Sequence, residues 1–262
     1  MDPSTVRFGR AAQDYATHRQ GFPHGFFDRL SGWGIGRPGQ RLLDLATGTG
    51  TIARGFAMKG CTVTGLDHDG PMLKAAEELA RDEGLSISWI ESKAEQIPLA
   101  DASFEVITAG QCWHWFDKSQ VASECMRLLV PGGRLVIGHF DWIPLDGNVA
   151  WRTERLIEAH NPSWKLGGGN GIHATELADL GNAGFLDLET FSFDVVAEYT
   201  HEAWRGRIRA SAGVGGSLSK EKVAIFDRHL AALLAEIFPE EPLSVLHRVF
   251  AVIGQKPIQH LD

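Results

Sequence analysis

Between Arg41 and Gly138 short apolar runs alternate with helix-forming segments, and this alternation constrains the fold more than any other feature. Arg41–Ala46, Cys61–Leu66 (closed by Asp67), Ser86–Glu91, Phe104–Ala109 and Arg134–Gly138 have the length and composition of strands. Thr51–Lys59, Pro71–Glu83 and Gln120–Leu129 have helical spacing. Pro71 stands in the first turn of its helix, while Gly60 and Gly84 stand just past helix ends. Pro131-Gly132-Gly133 reads as the stop after the third helix. Strand–helix alternation predicts a mostly parallel sheet with helices on both faces, wound right-handedly. Ligands of such sheets sit beyond the carboxyl ends of the strands, where the strand order switches.

The flanks are less regular. Residues 5–31 have helical spacing broken at Gly21-Phe22-Pro23, and Ser31–Gln40 is a glycine-rich turn region. After residue 140, Trp151–His160, Thr175–Asn182, Glu202–Ala210 and Ser219–Ile237 read as helices, and Phe185–Val196 and Leu246–Ile253 as strands. Gly167-Gly168-Gly169-Asn170-Gly171 reads as a flexible loop. No linker or repeat interrupts the pattern. The expectation is therefore one domain over 1–262, with 41–140 as the nucleotide-binding core and with 1–40 and about 141–240 as cap and substrate-binding elements.

Composition narrows the function classes. The 262 residues carry a formal net charge of −8, with 44% apolar and 22% charged residues. Residues 1–60 hold eight Lys/Arg against four Asp/Glu, and the remainder holds 17 against 29. An acidic chain without a basic block is a poor nucleic-acid binder, because affinity there comes largely from neutralised phosphates. Cys61, Cys112 and Cys125 are odd in number and lack metal-type spacing, which suits reduced thiols in the cytoplasm. The N-terminus does not read as a secretory signal, and no apolar run reaches the ~18–20 residues of a membrane span. The expected partner is a small molecule, with no nucleic acid and no membrane, and the expected assembly is a monomer or homodimer.

The turn in "LLDLATGTGTIARGF" (residues 42–56) is built for a ligand that approaches the backbone closely. Gly48-x-Gly50-x-x-Ala53 fits the dinucleotide fingerprint, and Asp67 lies where a ribose-binding acid belongs. Asp44 opposes that reading, because a carboxylate at the end of the strand would face the pyrophosphate dianion. S-adenosylmethionine (SAM) carries no phosphate and presents an ammonium, which a nearby carboxylate favours. Asp44 can equally serve the local backbone.

Four segments in order, "LLDLATGTG", "VTGLDHDGPML", "AEQIPLADASFEVITAGQCWHWF" and "LLVPGGRLVI", resemble the class I SAM-dependent methyltransferases. The resemblance covers roughly residues 8–140. It is nearest to the small-molecule branch with ubiquinone/menaquinone-biosynthesis-type and trans-aconitate-type enzymes, the latter through "YATHRQGFP" and "HWF". It implies a seven-stranded Rossmann-like sheet with a helical cap, and SAM as cofactor. It further implies that Asp44, Ala46, Gly48 and Gly50 line the methionine end of SAM. Asp67 would bind the ribose hydroxyls, with His68 and Met72 against the ribose or adenine and Ala94 and Glu95 at the adenine edge. Ala109, Gly110 and Gln111 would run beside the sulfonium, and Tyr15 and Arg19 would close over the cofactor. Lys93 departs from the pattern, since many relatives place Asp there.

The chemistry this implies is attack of a substrate oxygen, nitrogen or carbon on the sulfonium methyl. A base is needed only where the nucleophile must lose a proton. His114, after the fourth strand, and His139, after the fifth, are the candidate bases, with Asp141 beside them. Trp113, Trp142 and His173 are candidate substrate contacts, and Arg205 and Arg209 could grip a substrate carboxylate bidentately. Each of these also has a purely structural reading. No histidine pair has metal-ligand spacing, so no metal is expected. A nicotinamide-dependent oxidoreductase and a SAM-binding, non-catalytic homologue or regulator are the rival functions.

Overall fold

In a computed structural model that describes residues 21–258, β1 (Arg41–Leu45), β2 (Thr62–Asp67), β3 (Ser88–Glu91), β4 (Phe104–Gly110) and β5 (Leu129–Trp142) alternate with α2 (Thr51–Met58), α3 (Gly70–Asp82) and α4 (Lys118–Leu128). α1 (His24–Gly32) precedes them. The chain continues through α5 (Val149–His160), α6 (Thr175–Asn182), β6 (Leu186–Tyr199), α7 (His201–Arg209), α8 (Lys220–Ile237) and β7 (Leu243–Gln255). One seven-stranded sheet results, in the order β3-β2-β1-β4-β5-β7-β6. The β1–β2, β1–β4, β2–β3 and β4–β5 pairs are parallel. β7 runs against β5: Gly132 N–H donates to the Lys256 carbonyl and Ile143 N–H to the Leu246 carbonyl, so partner numbers fall as β5 advances. The expected mostly parallel, Rossmann-like sheet is thus present. The chain runs outward from β1 to β3 and returns to β4 on the other side of β1, which makes β1/β4 the switch point.

β5 is longer than the sequence suggests. Pro131-Gly132-Gly133 does not merely stop α4 but lies inside the strand as an irregularity. The register steps from Phe104↔Leu129 to Val106↔Arg134. Pro131 has no amide to give and Gly132 is left-handed at φ 76°, while Gly132 N–H donates to the Lys256 carbonyl and the Gly133 carbonyl accepts from Lys256 N–H, just past β7.

The chain divides into two compact units. One comprises 21–139, 173–192 and 249–258 of the described residues. Its core is built on Leu43, Leu45, Ile107, Leu135 and Ile137 of the parallel strands with Val121 and Cys125 of α4. α1 buries Phe26, Phe27 and Leu30, and Phe27 meets Phe56 of α2 edge-on at 5.1 Å. The other unit comprises 140–172 and 193–248. Trp204 of α7 is buried at its centre, donates its indole N–H to Thr153 of α5 at 3.0 Å and meets Trp142 edge-on at 5.6 Å. Phe226, Leu230 and Leu234 form the buried stripe of α8. No described helix is long and apolar enough to cross a membrane.

Candidate functional site

At the carboxyl edge the chain leaves β1 through Ala46, whose φ of 44° is left-handed and costs a non-glycine residue roughly 1–2 kcal/mol. Thr47 N–H then donates to the Leu66 carbonyl at the end of β2 (2.9 Å), and Gly50 N–H closes the turn on the Thr47 carbonyl (2.8 Å). Gly50 caps α2 at φ 75°, and a Cβ there would stand 2.9 Å from the Trp89 ring. The same indole lies over Gly65 of β2, where a Cβ would meet it at 2.5 Å. Trp89 of β3 thus packs on two residues that have no side chain, a contact the sequence reading did not anticipate.

Asp67 ends β2 beside this loop. Its Oδ2 accepts from Gly48 N–H at 2.8 Å, and its Oδ1 from Asp69 N–H at 2.9 Å. Each oxygen retains acceptor capacity, so the carboxylate can still receive two hydroxyls. Burial pushes its pKa above the ordinary range, against the pull of the two amides and nearby His68. The fingerprint spacing of Gly48 and Asp67 therefore corresponds to a direct hydrogen bond.

Asp44 is buried within β1 and serves its neighbours. Thr47 Oγ1 donates to its Oδ2 at 2.5 Å and Thr108 Oγ1 to its Oδ1 at 2.6 Å. Burial raises its pKa to about 6, and the two hydroxyls with the Ala53 amide restrain the rise. These local bonds correspond to the alternative in which Asp44 serves its own surroundings. Any effect on a cofactor ammonium runs through Thr47 and the loop it holds.

The remaining cofactor candidates are dispersed. His68 is exposed, while Met72 is buried on α3, its N–H held by the cap Asp69. Ala94 is buried, and Glu95 Oε1 accepts from Asp117 N–H at 3.3 Å. Ala109 is buried in β4. Gln111 leaves β4 at φ 60° with its N–H on the Gly138 carbonyl (2.8 Å), which joins the ends of β4 and β5. Tyr15 and Arg19 lie outside the described residues.

His139 and Asp141, expected after the fifth strand, lie inside the longer β5; His139, one residue beyond Gly138, is buried and its Nε2 stands 2.7 Å from Oε1 of buried Glu176, on α6. His173 stacks on the His139 ring at 3.5 Å and 12°. His114, in the 3₁₀ turn Trp113–Trp115, has its ring 6.3 Å from that of His139 and 4.6 Å from Trp115. Glu176 was missed by sequence reasoning, because 37 residues separate it from His139 and no motif links them. His139, His173 and Glu176 are also the metal-ligating type of cluster, with one donor atom from each within 4.8 Å of the others. Their arrangement suits an ion poorly. Imidazole donates in its ring plane, and an ion shared by two cofacial rings lies well out of both planes.

Two expectations need correction. Trp113 is fully buried and donates its indole N–H to Asp179 at 3.1 Å, which ties it into the core instead of leaving it on an open surface. Arg205 and Arg209 do share a helix face, but they grip Asp227 of α8: Arg205 Nε donates to its Oδ1 at 3.0 Å and Arg209 Nη1 to the same oxygen at 2.8 Å. Arg209 also meets Glu202 at 2.8 Å. The guanidinium pair thus ties two helices together. Trp142, the third substrate candidate, donates to buried Glu154 at 2.8 Å and lies under the Arg207 guanidinium at 4.9 Å.

A family model described as a methyltransferase domain matches residues 43–137. The 27-O-demethylrifamycin SV methyltransferase of Amycolatopsis mediterranei is 30% identical over 222 residues, covering 82% of this chain and 78% of that protein. An uncharacterised methyltransferase of Mycobacterium tuberculosis is 29% identical over 150 residues, and the match spans only 57% of that protein's length. Among solved structures, a putative type II methyltransferase from Anaeromyxobacter dehalogenans superposes with a TM-score of 0.65 at 22% identity, over 92% of this chain and 99% of that one, a likeness of fold. Nothing in these matches supports the oxidoreductase alternative. The glycine turn, the Asp67–Gly48 bond and the relative that shares most of the chain agree: this protein belongs to the class I SAM-dependent methyltransferase family.

Proposed function

We propose that the protein transfers the methyl group of SAM to a small-molecule acceptor, within a single functional domain. The observation that carries this reading is the Asp67 carboxylate, fixed by Gly48 and Asp69 amides with acceptor capacity left on both oxygens. The ribose diol that Asp67 can take is common to SAM and a dinucleotide, but a pyrophosphate beside this turn would lie near the buried Asp44 carboxylate, whereas SAM brings no phosphate. Bound SAM supplies a methyl on a sulfonium that departs as a neutral thioether. The chain's contribution is to align acceptor and methyl, an effect worth ~7–11 kcal/mol in favourable systems. Asp67 takes the ribose hydroxyls, with His68 and Met72 nearby. Ala46, Gly48 and Gly50 face the methionine end, Ala94 and Glu95 the adenine, and Ala109 and Gln111 the sulfonium. His114, His139 and His173 face the acceptor. The protein acts in the cytoplasm as a monomer or homodimer and binds no nucleic acid.

Calorimetric titration with SAM, S-adenosylhomocysteine and NADH tests this. Saturable binding of both adenosyl compounds is expected, weakened at least tenfold in Asp67→Ala and less in Asp67→Asn, which keeps one oxygen for Gly48 N–H. Binding of NADH alone overturns the assignment. Tight SAM binding without methylation of any acceptor identifies a non-catalytic homologue.

A further inference from the structure

His139 Nδ1 and Glu176 Oε2 are both buried and have no hydrogen-bond partner among the described residues. A buried polar atom left in this state costs free energy and marks a place where a group from outside belongs. An ionised Glu176 can only accept, so the 2.7 Å contact places the imidazole proton on Nε2. Nδ1 then carries a lone pair, enclosed and unused. His139 lies within β5, one residue past the last β4–β5 pair Gly110↔Gly138, next to the Gly138 carbonyl that binds the Gln111 amide at the carboxyl end of β4. Facing it are Glu176 of α6, His173 of the loop before α6, and His114 of the 3₁₀ turn.

Resting on the methyltransferase reading above, we propose that His139 is the proton acceptor of the reaction, that Glu176 positions it by holding its Nε2–H, and that the acceptor is therefore an alcohol or phenol. The acceptor O–H gives its proton to His139 Nδ1 while an oxygen lone pair forms the new bond to the methyl carbon. The carbon–sulfur bond breaks with its electron pair remaining on sulfur. The products are a methyl ether, S-adenosylhomocysteine and an imidazolium paired with the Glu176 carboxylate, which later releases its proton to water. A carboxylate acceptor needs no base and would be repelled by Glu176 in a buried site, so the same geometry disfavours ester formation. The cofacial His173 ring lies flat against His139 and restricts the plane of its imidazole.

The decisive experiment reads the tautomer directly, by long-range ¹H–¹⁵N NMR of the full-length protein labelled at histidine nitrogens, with His139 assigned by its loss in His139→Gln. Neutral His139 is expected to carry its proton on Nε2. In Glu176→Gln, whose amide can donate as well as accept, the two tautomers should mix. A wild-type proton on Nδ1, or a tautomer unchanged in Glu176→Gln, overturns the proposal. So does one equivalent of zinc retained by the wild type and lost in Glu176→Gln, which would make the cluster a metal site. The kinetic arm follows methyl transfer from labelled SAM to a panel of phenols and a matched panel of carboxylic acids. His139→Gln should lower kcat on phenols by ~10²–10⁴-fold with S-adenosylhomocysteine affinity unchanged. Turnover of carboxylic acids at a rate His139→Gln leaves within twofold overturns it. Failure to bind S-adenosylhomocysteine at all would instead sink the methyltransferase reading, and the tautomer result would stand apart from it.

Discussion

Asp44→Asn isolates the cost of keeping a carboxylate inside β1. The carboxyl is buried, and its pKa rises from 3.8 to about 6 because burial penalises the charge more than Thr108, Thr47 and the Ala53 amide relieve it. The unfolded chain ionises Asp44 near pH 4 and the native protein near pH 6, so between these values the native state holds the extra proton. Stability must then fall as pH rises through this window and level off above it. A shift of about two units at 1.36 kcal/mol each gives about 3 kcal/mol. Asparagine cannot ionise. Its oxygen accepts from one threonine, and the other hydroxyl rotates to accept from its amide, so the substitution brings a constant offset without a pH slope. The assay is urea unfolding of both proteins from pH 4 to 8, with m-values checked for equality. Titrating groups other than Asp67, whose charge couples to Asp44, cancel in the difference, which should move by about 2–3 kcal/mol in favour of Asp44→Asn from pH 4 to 8. A flat difference curve would refute the reasoning, since it would mean that the two hydroxyls and the amide fully solvate the charge.

His247 predicts the opposite slope: burial, offset partly by the Val245 carbonyl, lowers its pKa from 6.5 to about 4. The unfolded state protonates first on acidification, so stability is lost as pH falls from 6.5 towards 4, by about 3 kcal/mol, and the same urea series on His247→Gln should lack that loss. Gly65→Ala drives a Cβ to 2.5 Å from Trp89; thermal melts should show a loss of about 1–3 kcal/mol, largely recovered when Trp89→Leu is added. Asp227→Ala leaves Arg205 and Arg209 without their shared partner and should cost about 1–3 kcal/mol with S-adenosylhomocysteine affinity unchanged. An Arg209→Ala variant of normal stability but tenfold weaker acceptor binding would restore the carboxylate-grip role.

The parallel half of the fold was legible because local and long-range signals coincide there. Pro71 and Gly84 bracket α3, the glycine turn fixes the start of α2, and five apolar runs supply the strands. Asp67 was legible for the same reason: strand, turn and acid follow a spacing that the sheet register turns into a contact. Glu176 was not legible, because α6 is eight residues with no motif and its pairing with His139 exists only in three dimensions. Arg205 and Arg209 mislead from sequence, since helical spacing predicts their shared face but says nothing of Asp227, 22 residues beyond Arg205. Trp113 misleads because a tryptophan beside a histidine after a strand reads as a pocket wall, while Asp179 supplies the acceptor that lets it stay buried.

The register explains why the chemistry gathers where it does. Leu66, Leu45, Ala109 and Ile137 stand at one level across β2, β1, β4 and β5. One residue further come Asp67, Ala46, Gly110 and Gly138, and one further again Gln111 and His139. A slip of one residue in any pair would turn these side chains to the opposite face, so the buried leucine level also fixes the functional one. The two strands that flank the switch point, β1 and β4, are followed by left-handed non-glycine residues, Ala46 and Gln111. Such conformations cost of order 1–3 kcal/mol and persist only where the surroundings over-determine them. Beside Ala46 that condition is met by Thr47 N–H on the Leu66 carbonyl, and at Gln111 by its own N–H on the Gly138 carbonyl. Each turn is therefore tied to the neighbouring strand rather than to itself. The strain lies in the two loops that follow β1 and β4, while the irregularity of the β4–β5 pairing lies at the opposite end of the strands.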